Sequence, residues 1–291
     1  MSRAIVDARV VDAGRGVAWW TEGWRIFRSS TGMWIGVFVV YLIVSALVNL
    51  VPYVGQVAHS LLTPVFVGGL MIACRALEQG EPLRMSHLFE GFQGAHFVPL
   101  MIIGAVNIAL VLALIALTTA GAISTASLGN IGSFADPLDA IRGTAFALTG
   151  TTVLVVVLVL LLVTVFMMLN WFAPALVALR GVAPMQAMKL SFVAMLRNWL
   201  PFLVYSLVAV VVGIALMVAF VAIAFAMGAG AMMSGSVAGG MGAVVGLIFL
   251  FVIGGFLLAS VVGPIAIGSV YAGFKDTLDD DDATVTNPAQ W

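Results

Sequence analysis

The sequence predicts an all-α fold, a polytopic membrane bundle of six transmembrane helices, and three observations predict it. The first is composition: of 291 residues, 63% are hydrophobic and 9% charged, against about 25% charged in a soluble domain, and the mean hydropathy is +1.17. The second is length. A hydrocarbon core of about 30 Å takes roughly 20 apolar residues in a helix, and six runs reach that, at 33–52, 57–76, 97–120, 150–178, 200–227 and 241–273. The third is charge placement. Arg3, Arg9, Arg15, Arg25 and Arg28 precede the first run. Arg75 and Arg84 follow the second, Arg180, Lys189 and Arg197 follow the fourth, and Lys275 follows the sixth. With six spans all of these share one side, and only Arg142 of the 12 basic residues falls on the other. Lys and Arg gather in cytoplasmic loops, so both termini are expected in the cytoplasm.

The chain divides into an N-terminal tail (1–16), one transmembrane domain (17–275) and an acidic tail (276–291). The first 30 residues carry charges throughout and offer no short apolar run, so a cleavable signal peptide is not expected. Four of the seven tryptophans then fall between 19 and 34. Val17, Trp20, Trp24 and Phe27 recur at helical spacing as an apolar stripe, and Arg25 and Arg28 leave that stripe toward lipid phosphates. Tryptophan favours the headgroup level, where its ring is buried and its N–H stays wet. The expectation is an interfacial helix flat on the inner leaflet, with Trp19, Trp20, Trp24, Arg25, Phe27, Arg28 and Trp34 at the membrane interface and Trp199 doing the same before the fifth span.

The outer connections follow the spans. Residues 53–56 are short. In 121–149, Asp136 before Pro137 is a helix-start signal and predicts a short surface helix over 136–142. The glycines of 228–240 predict a flexible loop. The fourth and sixth spans exceed the bilayer and are expected to tilt or kink at Pro174 and Pro264. In the sixth, Gly242 and Gly246 form a GxxxG pair, and Gly255, Ala259 and Gly263 continue at four-residue steps. Small residues let membrane helices approach, so this stripe is expected to make the closest helix contact, within the chain or in a homodimer. The run Asp279–Asp282 reads as a solvated tail.

Three copies of one unit are also legible, each an amphipathic lead-in followed by a transmembrane hairpin. The lead-ins are 20–34, 85–100 and 188–202, and His96-Phe97-Val98-Pro99-Leu100 aligns with Asn198-Trp199-Leu200-Pro201-Phe202. The returning helices each carry a proline followed by a basic residue at the exit: Pro64 and Arg75, Pro174 and Arg180, Pro264 and Lys275. Duplication and convergence of membrane-crossing chemistry both produce such a pattern.

Several functions are disfavoured. Coupled pumps need intramembrane ionisable residues, and no Asp, Glu, Lys or Arg lies inside the spans. There is no P-loop, no HExxH and no GxSxG, and Ser60 next to His59 diverges on a helix by about 100°. Cys74 is the only cysteine, and His59, His87 and His96 lack metal-ligand spacing, so neither cofactor nor metal is expected. No basic face is dense enough for nucleic acid. Asn107 and Asn170 are the deepest polar residues. They read as interhelical hydrogen-bonding groups or as a candidate polar path. Expected partners are membrane lipids, another membrane protein or a second copy of the chain. The reading is a non-enzymatic lipid- or partner-binding scaffold or regulator, with an uncoupled transporter or permease subunit for an amphipathic solute as the alternative.

The segments GRGVAWWTEGWRIF, VPYVGQVAHSLLTPVFVGGLMIACRALEQGEPL and LFEGF resemble a family of proteobacterial inner-membrane proteins. More distantly, the layout is similar to YciC-like proteins and to the membrane domain attached to some glycerophosphodiester phosphodiesterases. The resemblance implies a multi-pass protein of the bacterial inner membrane and no catalytic residues, since no hydrolase domain accompanies it.

Overall fold

The computed structural model describes residues 8–128, 150–234 and 237–279, and these contain helices and connections without a strand. We label the helices α1 (Arg15–Ser29), α2 (Thr31–Asn49), α3 (Val54–Glu78), α4 (Phe97–Leu128), α5 (Gly150–Asn170), α6 (Ala173–Arg180), α7 (Pro184–Arg197), α8 (Trp199–Ser234), α9 (Val237–Phe249) and α10 (Gly255–Leu278). Two 3₁₀ segments, Met85–Phe92 and Gly94–His96, precede α4, and a π-turn at Leu250–Gly254 joins α9 to α10. Six helical stretches are long and apolar enough to cross a membrane: Thr31–Asn49, Val54–Glu78, Gly94–Gly121, Val153–Arg180, Trp199–Ala229 and Val244–Leu278. They match the six expected runs in number and order. The expected surface helix at 136–142, Arg142 and residues 280–291 lie outside the described residues.

Two local features differ from expectation. The fourth span is broken rather than kinked at its proline: α5 stops at Asn170 and α6 starts anew with Pro174 in its first turn. Ser191 stabilises the break, accepting from the Phe172 N–H at 3.0 Å and donating to the Met168 carbonyl at 2.7 Å. The glycine-rich stretch 228–240, expected as a loop, is helical except at 235–236, which lie outside the described residues. Alanine, methionine and valine between the glycines sustain the helix, and each glycine costs it only about 1 kcal/mol.

Packing is unevenly distributed along the spans. The buried core is built from α1, α6, α7 and the Met85–Phe92 segment, the first turns of α2, α4 and α8, and the last turns of α3 and α10. These share the end of the bundle that carries Arg15, Arg75, Arg180, Arg197 and Lys275, called here the charged end. Toward the far end, side chains such as Leu112, Leu161, Val211, Phe225 and Phe251 are exposed on all sides. Only a hydrocarbon solvent accommodates that surface.

The lead-ins are not arranged as separate units. α1 packs along α10 and α8, the segment Met85–Phe92 packs along α3, and α7 packs along α5 and α6. Each lead-in therefore seats on the return helix of the preceding hairpin, and the first seats on the last, closing a ring. The contacts repeat atom for atom at two of these seats. A Cβ on Gly23 would overlap the Ile265 carbonyl oxygen and lie 2.7 Å from the Ser269 nitrogen. A Cβ on Gly91 would overlap the Val65 carbonyl oxygen and lie 3.2 Å from the Gly69 nitrogen. Ile265 and Ser269 follow Pro264 by one and five residues, as Val65 and Gly69 follow Pro64. The third lead-in presents Ala194, also fully buried.

Candidate functional site

The charged end holds a polar layer assembled from all three return helices. Glu78, the last residue of α3, accepts from the Tyr271 hydroxyl at 2.6 Å and is bonded to Lys275. Asp279, just past α10, is almost fully buried; its carboxylate takes Arg75 at 2.6 Å and also pairs with Arg180. The three basic exit residues of the hairpins thus converge on two carboxylates. Asp276 accepts from Arg15 at 2.6 Å and from the Trp19 indole N–H at 2.7 Å, and Arg15 also reaches Glu22 at 2.9 Å. The Asp276 hydrogen bond holds the Arg15 guanidinium above its usual pKa, so it is cationic throughout the working range. The N-terminal residues are strapped across this layer. The Arg9 N–H donates to the Thr277 carbonyl at 2.9 Å, and Asn198 bonds Val11 and Arg9 at 2.9 and 2.8 Å.

Beside this layer, α1, α3 and α10 enclose a pocket of about 400 Å³. α1 contributes Glu22, Arg25, Ile26 and Ser29, α3 contributes Cys74, Leu77 and Glu78, and α10 contributes Tyr271, Ala272 and Lys275. Lys275 is paired with Glu78 and Glu22 with Arg15. Among the described residues no carboxylate pairs with Arg25, which is exposed on the pocket rim. The lining therefore offers one uncompensated cation next to apolar wall.

The membrane-interface residues divide into two groups. Trp24, Arg25, Arg28 and Trp199 are exposed. Trp19 and Trp34 are buried in the protein, contrary to expectation, and so is Phe27. Trp20 lies between, stacked on Tyr205 with centroids 4.8 Å apart and its N–H on the Tyr205 carbonyl. The face that α1 gives the protein is Gly16, Trp19, Gly23 and Phe27, not the stripe of Val17, Trp20, Trp24 and Phe27. The cause is steric. Gly16 and Gly23 let the backbones of α8 and α10 approach where any Cβ would collide, so α1 docks on the bundle and only the Val17–Trp24 flank is left for lipid.

The helix-packing stripe is corrected as well. Gly242 and Gly255 have open space around them, Gly246 meets only the Met227 methyl, and Gly263 meets the Phe38 ring; Ala259 is half-buried. Of the stripe only Gly263 closely meets a neighbouring helix, α2; comparably close contacts are made by Gly16, Gly23 and Gly91 at the charged end and by Gly55 against the Val48 carbonyl at the far end, while α9 and the start of α10 face outward. Asn107 and Asn170 are brought to the same seam. On α4, Asn107 shares a face with Leu110 and Leu114. On α5, Asn170 shares one with Phe166 and Val163. These apolar residues line a crevice of about 180 Å³ between the two helices. The Asn170 amide donates to the Phe166 carbonyl at 2.9 Å. The side-chain oxygens of both asparagines are buried without a hydrogen-bond donor. Among the described residues no group of His, Cys, Asp and Glu could hold a metal.

Sequence reasoning missed Asp276, Asp279 and Tyr271. Asp279 opens an acidic run and reads as tail, yet α10 runs to Leu278 and carries it into the core. The signal was the three exit cations, which need partners once their helix ends converge.

Fold and site define a class: an all-α integral membrane protein with six spans and a charged end formed by the returning helices. The chain is 30% identical over 202 residues to a protein of Burkholderia thailandensis named "Probable inner membrane protein", over 68% of this chain and 73% of that relative. It belongs to that protein's family. No family model and no solved structure matches it.

Proposed function

We propose that this protein is a non-enzymatic scaffold or regulator of the bacterial inner membrane, with both termini in the cytoplasm, that binds a lipid headgroup at its charged end. The observation carrying this reading is the pocket between α1, α3 and α10, whose one uncompensated cation, Arg25, sits on the helix that also presents Trp24 to lipid. A phosphate at Arg25 with an apolar body against Ile26, Leu77 and Ala272 satisfies both halves of the lining. Distant kinship to YciC-like proteins belongs to this reading and adds no activity to it. The test is gentle purification from native membranes followed by mass spectrometry of retained lipids and proteins. A single phospholipid class retained by the wild type and lost from Arg25→Glu supports the reading. Retention of a stoichiometric protein with no enriched lipid replaces it with partner scaffolding.

A second reading, an uncoupled transporter or permease subunit for a lipid-like solute, is favoured by the crevice between α4 and α5. Flux of a fluorescent lipid across liposomes containing this protein alone tests it; rates equal to protein-free liposomes reject it.

A further inference from the structure

Resting on the reading that the pocket between α1, α3 and α10 holds a lipid headgroup, we infer that it selects a zwitterionic one, a phosphate diester joined by two carbons to a primary ammonium. The lining carries two carboxylates as well as two cations, Glu22 and Glu78 beside Arg25 and Lys275, so its formal charge is zero. Arg15 and Asp276 next to it pair with one another and leave that balance unchanged. A zwitterion also leaves it unchanged. An anionic headgroup without a cation answers Arg25 but sets its own net charge beside two carboxylates, and like charges at this range repel.

The order of the charges fixes the orientation. α1 runs antiparallel to α10: Arg15 bonds Asp276, a Cβ on Gly273 would lie 3.4 Å from Trp19, and one on Gly268 would lie 3.4 Å from Ile26. This register sets Glu22 near the level of Tyr271 and Ala272. From the opposite wall Glu78 is tied to Tyr271 and Lys275. Arg25, three residues past Glu22, is about 5–6 Å away along the same helix face and lies on the side of the spans. A headgroup entering from the membrane therefore meets the cation first and the carboxylates next, the order in which a phosphoethanolamine presents its phosphate and its ammonium. Both carboxylates have room for a further donor. Each offers about four lone-pair sites; Glu22 accepts from Arg15 at 2.9 Å, and Glu78 accepts from Tyr271 and Lys275. Their side chains are 30% and 42% exposed, so a ligand reaches them. A trimethylammonium has no N–H to donate and is recognised by a cage of aromatic rings. Tyr271 is the one aromatic side chain among the described residues of the lining, and its hydroxyl is on Glu78.

The experiment is native mass spectrometry of the full chain in detergent with phosphatidylethanolamine, its N-monomethyl and N,N-dimethyl derivatives, phosphatidylcholine and phosphatidylglycerol, all with the same acyl chains at equal concentration. Lipid bound to the wild type should fall step by step as methyl groups replace N–H. Phosphatidylethanolamine should exceed phosphatidylcholine and phosphatidylglycerol about three- to tenfold, the discrimination expected from one or two hydrogen bonds. This series needs no variant to fold. Glu22→Gln should narrow the preference and raise phosphatidylglycerol binding, because the lining then carries a net positive charge. Arg25→Glu should lower binding of every lipid in the series. Unchanged binding in Arg25→Glu would sink the headgroup reading and the zwitterion assignment together. Loss of binding in Arg25→Glu, with wild-type protein that holds phosphatidylglycerol or phosphatidylcholine as well as phosphatidylethanolamine, would keep the headgroup reading and overturn the zwitterion assignment alone. Displacement of bound phosphatidylethanolamine by an equal concentration of glycerophosphoethanolamine, which has no acyl chains, would assign the pocket to a soluble zwitterion and overturn the lipid as its source.

Discussion

Gly23 and Gly32 look alike in the sequence and have opposite surroundings. Gly23 touches the α10 backbone directly, whereas a Cβ on Gly32 meets nothing within 4 Å. Gly23→Ala should therefore lower stability by about 1–3 kcal/mol, the usual cost of overpacking. Gly32→Ala, in the open first turn of α2, should be neutral or stabilising by less than about 1 kcal/mol, since alanine restricts the unfolded chain and meets nothing in the folded one. Thermal unfolding in detergent reads both, and equal midpoints for the two variants would contradict the docking of α1. Asp279 is the second decisive residue. Its carboxylate is buried while Arg75 and Arg180 keep about a quarter of their side chains exposed (24% and 29%). Breaking a fully buried pair costs about 3–5 kcal/mol. Solvent reaching the two arginines reduces that here, so Asp279→Asn should cost about 2 kcal/mol. The same variants measured at high salt should keep most of this loss, because the carboxylate itself is shielded from solvent.

At the scale of elements, the six spans were legible because their signal is one of length and apolarity, which no packing detail alters. The orientation of α1 was not. Its sequence contains two apolar arcs, one through Gly16, Trp19, Gly23 and Phe27 and one through Val17, Trp20 and Trp24, and hydrophobicity weighs the second more heavily. Glycine decides the choice through close approach, and close approach depends on the partner's backbone. The glycine stripe of the last span misled for the same reason: small residues permit contact without supplying a partner. Asn107 and Asn170 stand out in the sequence as the deepest polar residues, but their shared level between α4 and α5 needed the register. Burial also changes how the sidedness of the membrane must be probed. Cys74 is 1% exposed, so it should resist thiol reagents even after the membrane is opened. Arg28→Cys in a Cys74→Ser background places the thiol on the exposed side of α1. Spheroplasts should label with an impermeant maleimide only after lysis, and labelling before lysis would reverse the expected cytoplasmic position of the charged end.

The whole molecule is organised as a ring of three hairpins closed by α1 on α10. Lead-in repeats were visible in the sequence, and the match of Pro64–Arg75 with Pro264–Lys275 was visible too. Their cyclic seating was not, because which hairpin a lead-in joins is a long-range choice that local pattern leaves open. The repeated contact of Gly23 with Ile265 and of Gly91 with Val65 supports duplication over convergence, since membrane-crossing chemistry alone does not require the same backbone atoms to meet. Ring closure also brings Arg9 beside Thr277. A circular permutant joining Arg9 to Asp279 by a linker and opening the chain between Gly80 and Glu81, both exposed, should fold and show an unfolding midpoint close to the wild type. The same cut without the joining linker should separate into fragments that associate through α1 and α10. Loss of folding in the permutant, with the linker long enough, would show that the order of the hairpins matters as well as their contacts.

The closing contact also sets a timetable. α1 is made before the six spans, and its seat on α10 is made about 250 residues later. At synthesis rates of about 5–20 residues per second, the interval is roughly 12–50 s. Throughout it the Gly16–Trp19–Gly23–Phe27 arc has no protein to rest on and lies on the bilayer surface, beside the exposed Trp24 flank. Every chain that stops short of α10 carries this undocked, tryptophan-rich helix, and every chain that includes α10 hides half of it. Accessibility of Trp19 thus distinguishes a chain in which α10 has been made and docked from one in which it has not, a difference that a membrane protease can read directly.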